Sequence, residues 1–140
     1  MTAKEFLNQY LETKRTADSK LREITELNAL ATKTTATLSL DGGHTQNSKP
    51  DKLADICAKI VDAESEVHEL IGDLLQIQRK VLLVIGKVKS AKYRELLEDR
   101  YIYGDKWNVI IDKMHYSRAQ IFRLHGEALN QVEKMRLNET

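Results

Sequence analysis

From Lys113 to Gly126 the chain carries no Asp or Glu, while Lys113, Arg118 and Arg123 are cationic and His115 and His125 can take a proton. A run of this kind offers attraction to phosphate with no carboxylate to oppose it. Arg118, Gln120 and Arg123 are also of the types that make two hydrogen bonds at a time to guanine and adenine edges in the major groove. Ala119 and Phe122 lie among them as apolar contacts, and Tyr116 and Ser117 just before them can donate to a nucleic-acid backbone. The chemistry on offer is recognition of duplex DNA.

No second chemistry competes with it. His44, His68, His115 and His125 are scattered, with no cysteine or carboxylate at metal-ligand spacing. His115 and His125 read as surface or phosphate-contacting histidines. Glu64, Glu66 and Glu69 read as solvated charge on an outer helix face. Asp41-Gly42-Gly43 lacks the Lys-Ser/Thr ending of a phosphate loop. Cys57 stands alone and reads as a half-buried structural thiol. We expect no enzyme activity, no metal and no cofactor.

The elements that must hold these residues are short helices. Gly104-Asp105 marks one break, with glycine suited to the position past a helix C-terminus and Asp105 to the next N-cap. His115-Tyr116-Ser117 marks a second, with Ser117 as N-cap. Leu96, Leu97 and Tyr101 form the apolar face of the first helix, which Ser90 is placed to cap. Trp107, Ile110, Ile111 and Met114 repeat at helical spacing in the second, as do Ile121, Leu124, Ala128, Leu129 and Val132 in the third. Arg118, Ala119, Gln120, Phe122, Arg123 and Gly126 are left facing outward.

Ahead of this lie two longer helices. Residues 2–32 carry Leu7, Tyr10, Ala17, Leu21, Ile24 and Ala31 at alternating spacing. Residues 33–50, rich in threonine and with one Asp-Gly-Gly, are expected to be a loop. Ser48 to Asp51 resembles a capping box for the longest helix. Its seam runs Leu53, Ile56, Ile60, Ala63, Val67, Leu70, Leu74, Ile77, Val81, Val84 and Val88 without a miss, a coiled-coil signature. The first helix falls short of that seam, so its Ile77–Val88 end needs cover from the C-terminal region or a second chain. A homo-oligomer, a dimer first, is the expectation. The fold class is all-α: a long antiparallel, coiled-coil-like helical hairpin (residues 1–89, loop 33–50) followed by a helix-turn-helix domain (residues 90–140).

Composition sets the outer limits. Lys plus Arg is 22 and Asp plus Glu 21, so only the local run is basic. A single cysteine excludes an internal disulfide and suits a reducing cytoplasm. No apolar run spans a bilayer, and no membrane partner is expected.

The pattern Leu-x-x-Arg-Tyr-Ile-x-Gly-x-x-Trp-x-x-Ile from Leu97, followed by Tyr-Ser-x-x-x-Ile-x-x-x-His-x-x-Ala-Leu from Tyr116, resembles region 4 of sigma-70-type factors. More closely, it is similar to small phage and prophage proteins with a sigma-region-4-like C-terminus, among them late-gene activators of the ArpU and RinA type. The resemblance is dense over Tyr93–Val132 and looser over the N-terminal helices. It implies that base-reading positions fall on Arg118, Ala119, Gln120 and Arg123, with Phe122 beside them. Ala119 and Phe122 stand where sigma factors usually carry polar groups. The DNA-contacting set is thus Lys113, His115, Tyr116, Ser117, Arg118, Ala119, Gln120, Phe122 and Arg123. The implied function is sequence-specific control of phage or prophage transcription in the cytoplasm of a bacterial host, with late-gene activation beside the host RNA polymerase. Two alternatives are a DNA-packaging protein like a small terminase subunit, and a protein-interaction module that docks on RNA polymerase or a repressor.

Overall fold

The computed structural model describes residues 1–40 and 48–138; the side chains of 38–40, 48 and 49 lie outside that description, as do the expected Asp41-Gly42-Gly43 turn and Ser48 cap. The described chain is all-α, with α1 (Ala3–Leu40), α2 (Ser48–Gly86), α3 (Ala91–Tyr101), α4 (Trp107–Met114) and α5 (Arg118–Asn138). α1 and α2 are the arms of a long antiparallel hairpin: Tyr10 meets Gln78, while Lys20, further along, meets the earlier Glu66. Among the described residues, no helix is long and apolar enough to cross a membrane.

The expected loop over residues 33–50 is corrected by the structure, because α1 runs on to Leu40. The threonines that looked like helix breakers are accommodated inside the helix. The hydroxyls of Thr32, Thr34, Thr35 and Thr37 donate to the carbonyls of Asn28, Leu30, Ala31 and Lys33, one turn back. A hydroxyl satisfied in this way no longer competes for the backbone with a non-helical turn, and Thr34 is buried as well. With 38 residues in α1 and 39 in α2, the arms are nearly equal.

The α2 seam is as the periodicity predicts: each of its members is buried or half-buried. On α1, Leu7, Tyr10 and Ala17 are buried, whereas Leu21 and Leu30 are exposed. Cys57 is exposed rather than half-buried, since it lies one step round α2 from the seam residue Ile56.

The chain divides into two compact units. One is Arg15–Gly72. Small Ala17 and Ala63 are buried there with Ile56 and Val67, and Lys20 pairs with Glu66 at 2.8 Å.

The other unit joins Met1–Lys14 to Asp73–Thr140. Its main core takes Leu7 and Tyr10 from α1, Val81 and Ile85 from α2, Leu97 and Tyr101 from α3, and Ala128 and Val132 from α5. Val88, just past α2, joins them. The end of the seam that lacked a partner in the sequence is therefore covered by the C-terminal helices of the same chain. That removes the argument for an oligomer drawn from it. Polar contacts add to the core in fastening α1 to α5: the Ala3 N–H donates to Glu133 at 2.6 Å, and Arg136 lies 4.4 Å from the Phe6 ring. Thr2 and Glu5 form a reciprocal capping box at the start of α1.

A smaller core of Leu96, Ile110 and Ile121, flanked by Trp107, Ile111, Met114 and Leu124, binds α3, α4 and α5 together. The predicted α4 face lies in this core, while the predicted α3 and α5 faces are divided between it and the main core.

Candidate nucleic-acid interface

The site is built from the two breaks outward. At the first, Gly104 has φ 70, a left-handed conformation that glycine adopts without a Cβ penalty. Asp105 does not cap α4, and Lys106 occupies the N-cap position with no side-chain bond. Asp105 works through its backbone instead: its N–H donates to the Asp99 carbonyl at 2.8 Å, and its carbonyl accepts from Arg100 at 3.0 Å. The Arg100 guanidinium also lies over the Trp107 ring at 4.5 Å. Ser90 likewise sits at the N-cap of α3 without a capping bond from its hydroxyl.

At the second break His115 closes α4 in the left-handed region, φ 60 and ψ 33, with its N–H on the Ile111 carbonyl. Three residues then separate α4 from α5, the turn length of a helix-turn-helix. Ser117 caps α5 as expected. Its Oγ accepts from the Gln120 N–H at 3.2 Å, and its own N–H donates to Gln120 Oε1 at 2.9 Å. This is a capping box, and it changes the role of Gln120. Two-bond recognition of adenine needs the amide oxygen and the amide nitrogen together. While it caps, Gln120 has only its NH2 to offer.

The α5 surface then reads as follows. Ala119, Phe122 and Arg123 are exposed beside Arg118. Arg118 donates to Asn108 Oδ1 at 2.6 Å and lies 5.8 Å from the Phe122 ring, so α4 and Phe122 both orient it. The Arg123 side chain is 68% exposed, with its Nε 3.9 Å from Glu127, one turn on. Glu127 is held in turn by the Tyr93 hydroxyl. Tyr116 is half-buried, with Lys92 over its ring at 5.4 Å.

Two predicted cations are already engaged. Lys113 bonds at 3.1 Å to the buried carboxylate of Asp99, which raises the lysine pKa. The other oxygen of Asp99 is buried with no hydrogen-bond partner among the described residues. His125 is half-buried rather than exposed, which corrects its reading as a surface histidine. It stacks with Tyr101, meets Trp107 edge-on at 4.7 Å, and shares a 2.6 Å hydrogen bond with the Tyr101 hydroxyl. Desolvation lowers its pKa to about 4, helped by the nearby Lys4 and Arg100 charges. Burial raises the Tyr101 pKa to about 12.

Asn108, Lys92 and Asp99 are the contributors that spacing did not single out. Asp99 had a signal: it is an acid set between Leu96, Leu97 and Tyr101 on a buried face. Asn108 and Lys92 had none, because each acts across a helix pair. Among the described residues no three His, Cys, Asp or Glu side chains converge as a metal site.

A family model described as "Protein of unknown function (DUF1492)" matches residues 29–133. The chain belongs to the DUF1492 family. No curated protein and no solved structure matches it. In this DUF1492 protein the matched stretch takes in both breaks, the capping box and the outward residues of α5 through Arg123. The candidate site therefore lies within the family's own span.

Proposed function

We propose that this DUF1492 protein is a sequence-specific duplex-DNA-binding regulator of transcription. By the sigma-region-4-like and ArpU/RinA-like resemblance, its genes are phage or prophage late genes in a bacterial cytoplasm, with host RNA polymerase as partner. The observation that carries the reading is the opening of α5: an exposed face, acid-free from Lys113 to Gly126, on which Arg118 and Arg123 stand either side of Ala119 and Phe122. In this reading α5 enters the major groove. Arg118, pre-oriented by Asn108, and Arg123 read guanine edges or grip phosphate. Ser117, Tyr116 and His115 approach the backbone, Lys113 adds positive potential from its place beside Asp99, and Gln120 holds the helix start rigid. The role is binding, without catalysis.

Selection of bound fragments from host and phage genomic DNA tests it. Enrichment of one recurring motif near promoters is the expected result. Enrichment at a single phage packaging site favours the small-terminase-like alternative. Recovery of random fragments only, with RNA polymerase or a repressor retained on the protein, favours the interaction module.

A further inference from the structure

α2 carries a second stripe, about 100° round from its seam. Val61, Glu64, His68, Leu75, Arg79 and Leu82 recur at steps of three, four or seven along one continuous helix, and all are exposed. Its apolar members are large: Val61 is 64% and Leu75 61% exposed. Such a repeat is what a helix presents to another helix. The seam has its partner in α1, whereas this face stays exposed among the described residues.

The order of residues on the stripe says what covers it. Reading outward from the point between Ile71 and Gly72, Glu64 on one side and Arg79 on the other stand at equal distance with opposite charge, Val61 and Leu82 stand at equal distance and are both apolar, and His68 and Leu75 flank the point itself. We propose that this face pairs antiparallel with the same face of a second copy of the chain, about a two-fold axis passing between Ile71 and Gly72. In that pair each Glu64 meets the partner copy's Arg79, so the contact occurs twice by symmetry, and apolar ends meet apolar ends. A parallel pair sets Glu64 on Glu64 and Arg79 on Arg79, which like-charge repulsion opposes. Charge along the helix agrees. Residues 62–73 hold five acids and no base, and residues 74–89 hold four bases and no acid, so only the antiparallel arrangement brings opposite blocks together. Gly72 lies beside the axis, where the absence of a side chain lets two helices approach. A Cβ there would meet nothing within 4 Å of its own chain.

Sedimentation equilibrium of the full chain tests this without DNA, so it stands or falls apart from the regulator reading. We expect a concentration-dependent monomer–dimer equilibrium. Glu64→Arg and Arg79→Glu should each raise the dissociation constant by about tenfold or more, and the two together should return it toward the original value. Gly72→Trp, placed in open space on the monomer, should give monomer with unchanged helix content by circular dichroism. A chain that sediments as monomer at every concentration overturns the proposal. So does a dimer indifferent to both single charge reversals, or one that the combined reversal fails to rescue.

Discussion

At His125, desolvation among Tyr101 and Trp107 decides the protonation state. The unfolded chain takes a proton on this imidazole near the ordinary value of about 6.5, while the folded chain resists it down to about 4. The folded state therefore binds fewer protons in that window, and stability falls as pH drops from 6.5 toward 4. Thermal melts across this range should show the loss, and His125→Gln should flatten it; an equal slope in both proteins would contradict the assignment. Gln120 gives a second test. Removing its half of the capping box with Gln120→Ala should cost roughly 0.3–1.5 kcal/mol in chemical denaturation. A Gln120 devoted to DNA alone would leave stability untouched. Arg118, Ala119, Phe122 and Arg123 were legible as outward residues because helical spacing alone places them. The capping role of Gln120 was also written in the Ser-x-x-Gln spacing, but a side chain with two uses does not announce which one it serves. The burial of His125 was not legible, since it needs Tyr101 and Trp107 from two other helices.

Among the elements, the break at Gly104 fixes where α4 starts relative to α3. Gly104→Ala forces a Cβ onto a left-handed residue and toward Leu11, whose methyls lie 3.5 and 3.6 Å from that position. The conformational cost alone is about 1–2 kcal/mol, and urea denaturation should show at least that much. No loss would mean that the turn relaxes freely. Helix identity and buried faces followed from periodicity: the whole α2 seam and the three head helices were legible. Helix ends were legible only in part: Ser117 caps α5 as its place predicts, but the end of α1 was missed. Threonine is a poor helix former on average, and its hydroxyl bond to the preceding turn, repeated four times near the end of α1, is invisible to propensity. Ser90 and Asp105 show the opposite error, since a good capping residue at the right place need not use its side chain.

At the scale of the whole molecule, the head shares its core with the open end of the hairpin. Leu7, Val81, Ile85 and Val88 are buried against Leu97, Tyr101, Ala128 and Val132. At roughly 1.5–3 kcal/mol for each buried aliphatic side chain, those four contribute about as much as the 5–15 kcal/mol net stability typical of a whole domain. A fragment of residues 90–140 should therefore lack a cooperative melt and dispersed amide resonances, although its three helices are all present in the sequence. A fragment that folds cooperatively would contradict this shared core. Periodicity could not reveal the sharing. It shows that the Ile77–Val88 end needs cover, and leaves open whether the same chain or another provides it.

The central claim is that the face of α5 beginning at Arg118 lies in a DNA groove. The most direct measurement is the affinity of the full chain for its best genomic duplex over a range of salt, compared with Arg118→Ala/Arg123→Ala. The account predicts a loss of about 1–3 kcal/mol for each specific contact removed, with a shallower salt dependence in the double variant. A selected duplex bound no more tightly than random sequence, with affinity and salt dependence unchanged in the double variant, would contradict it.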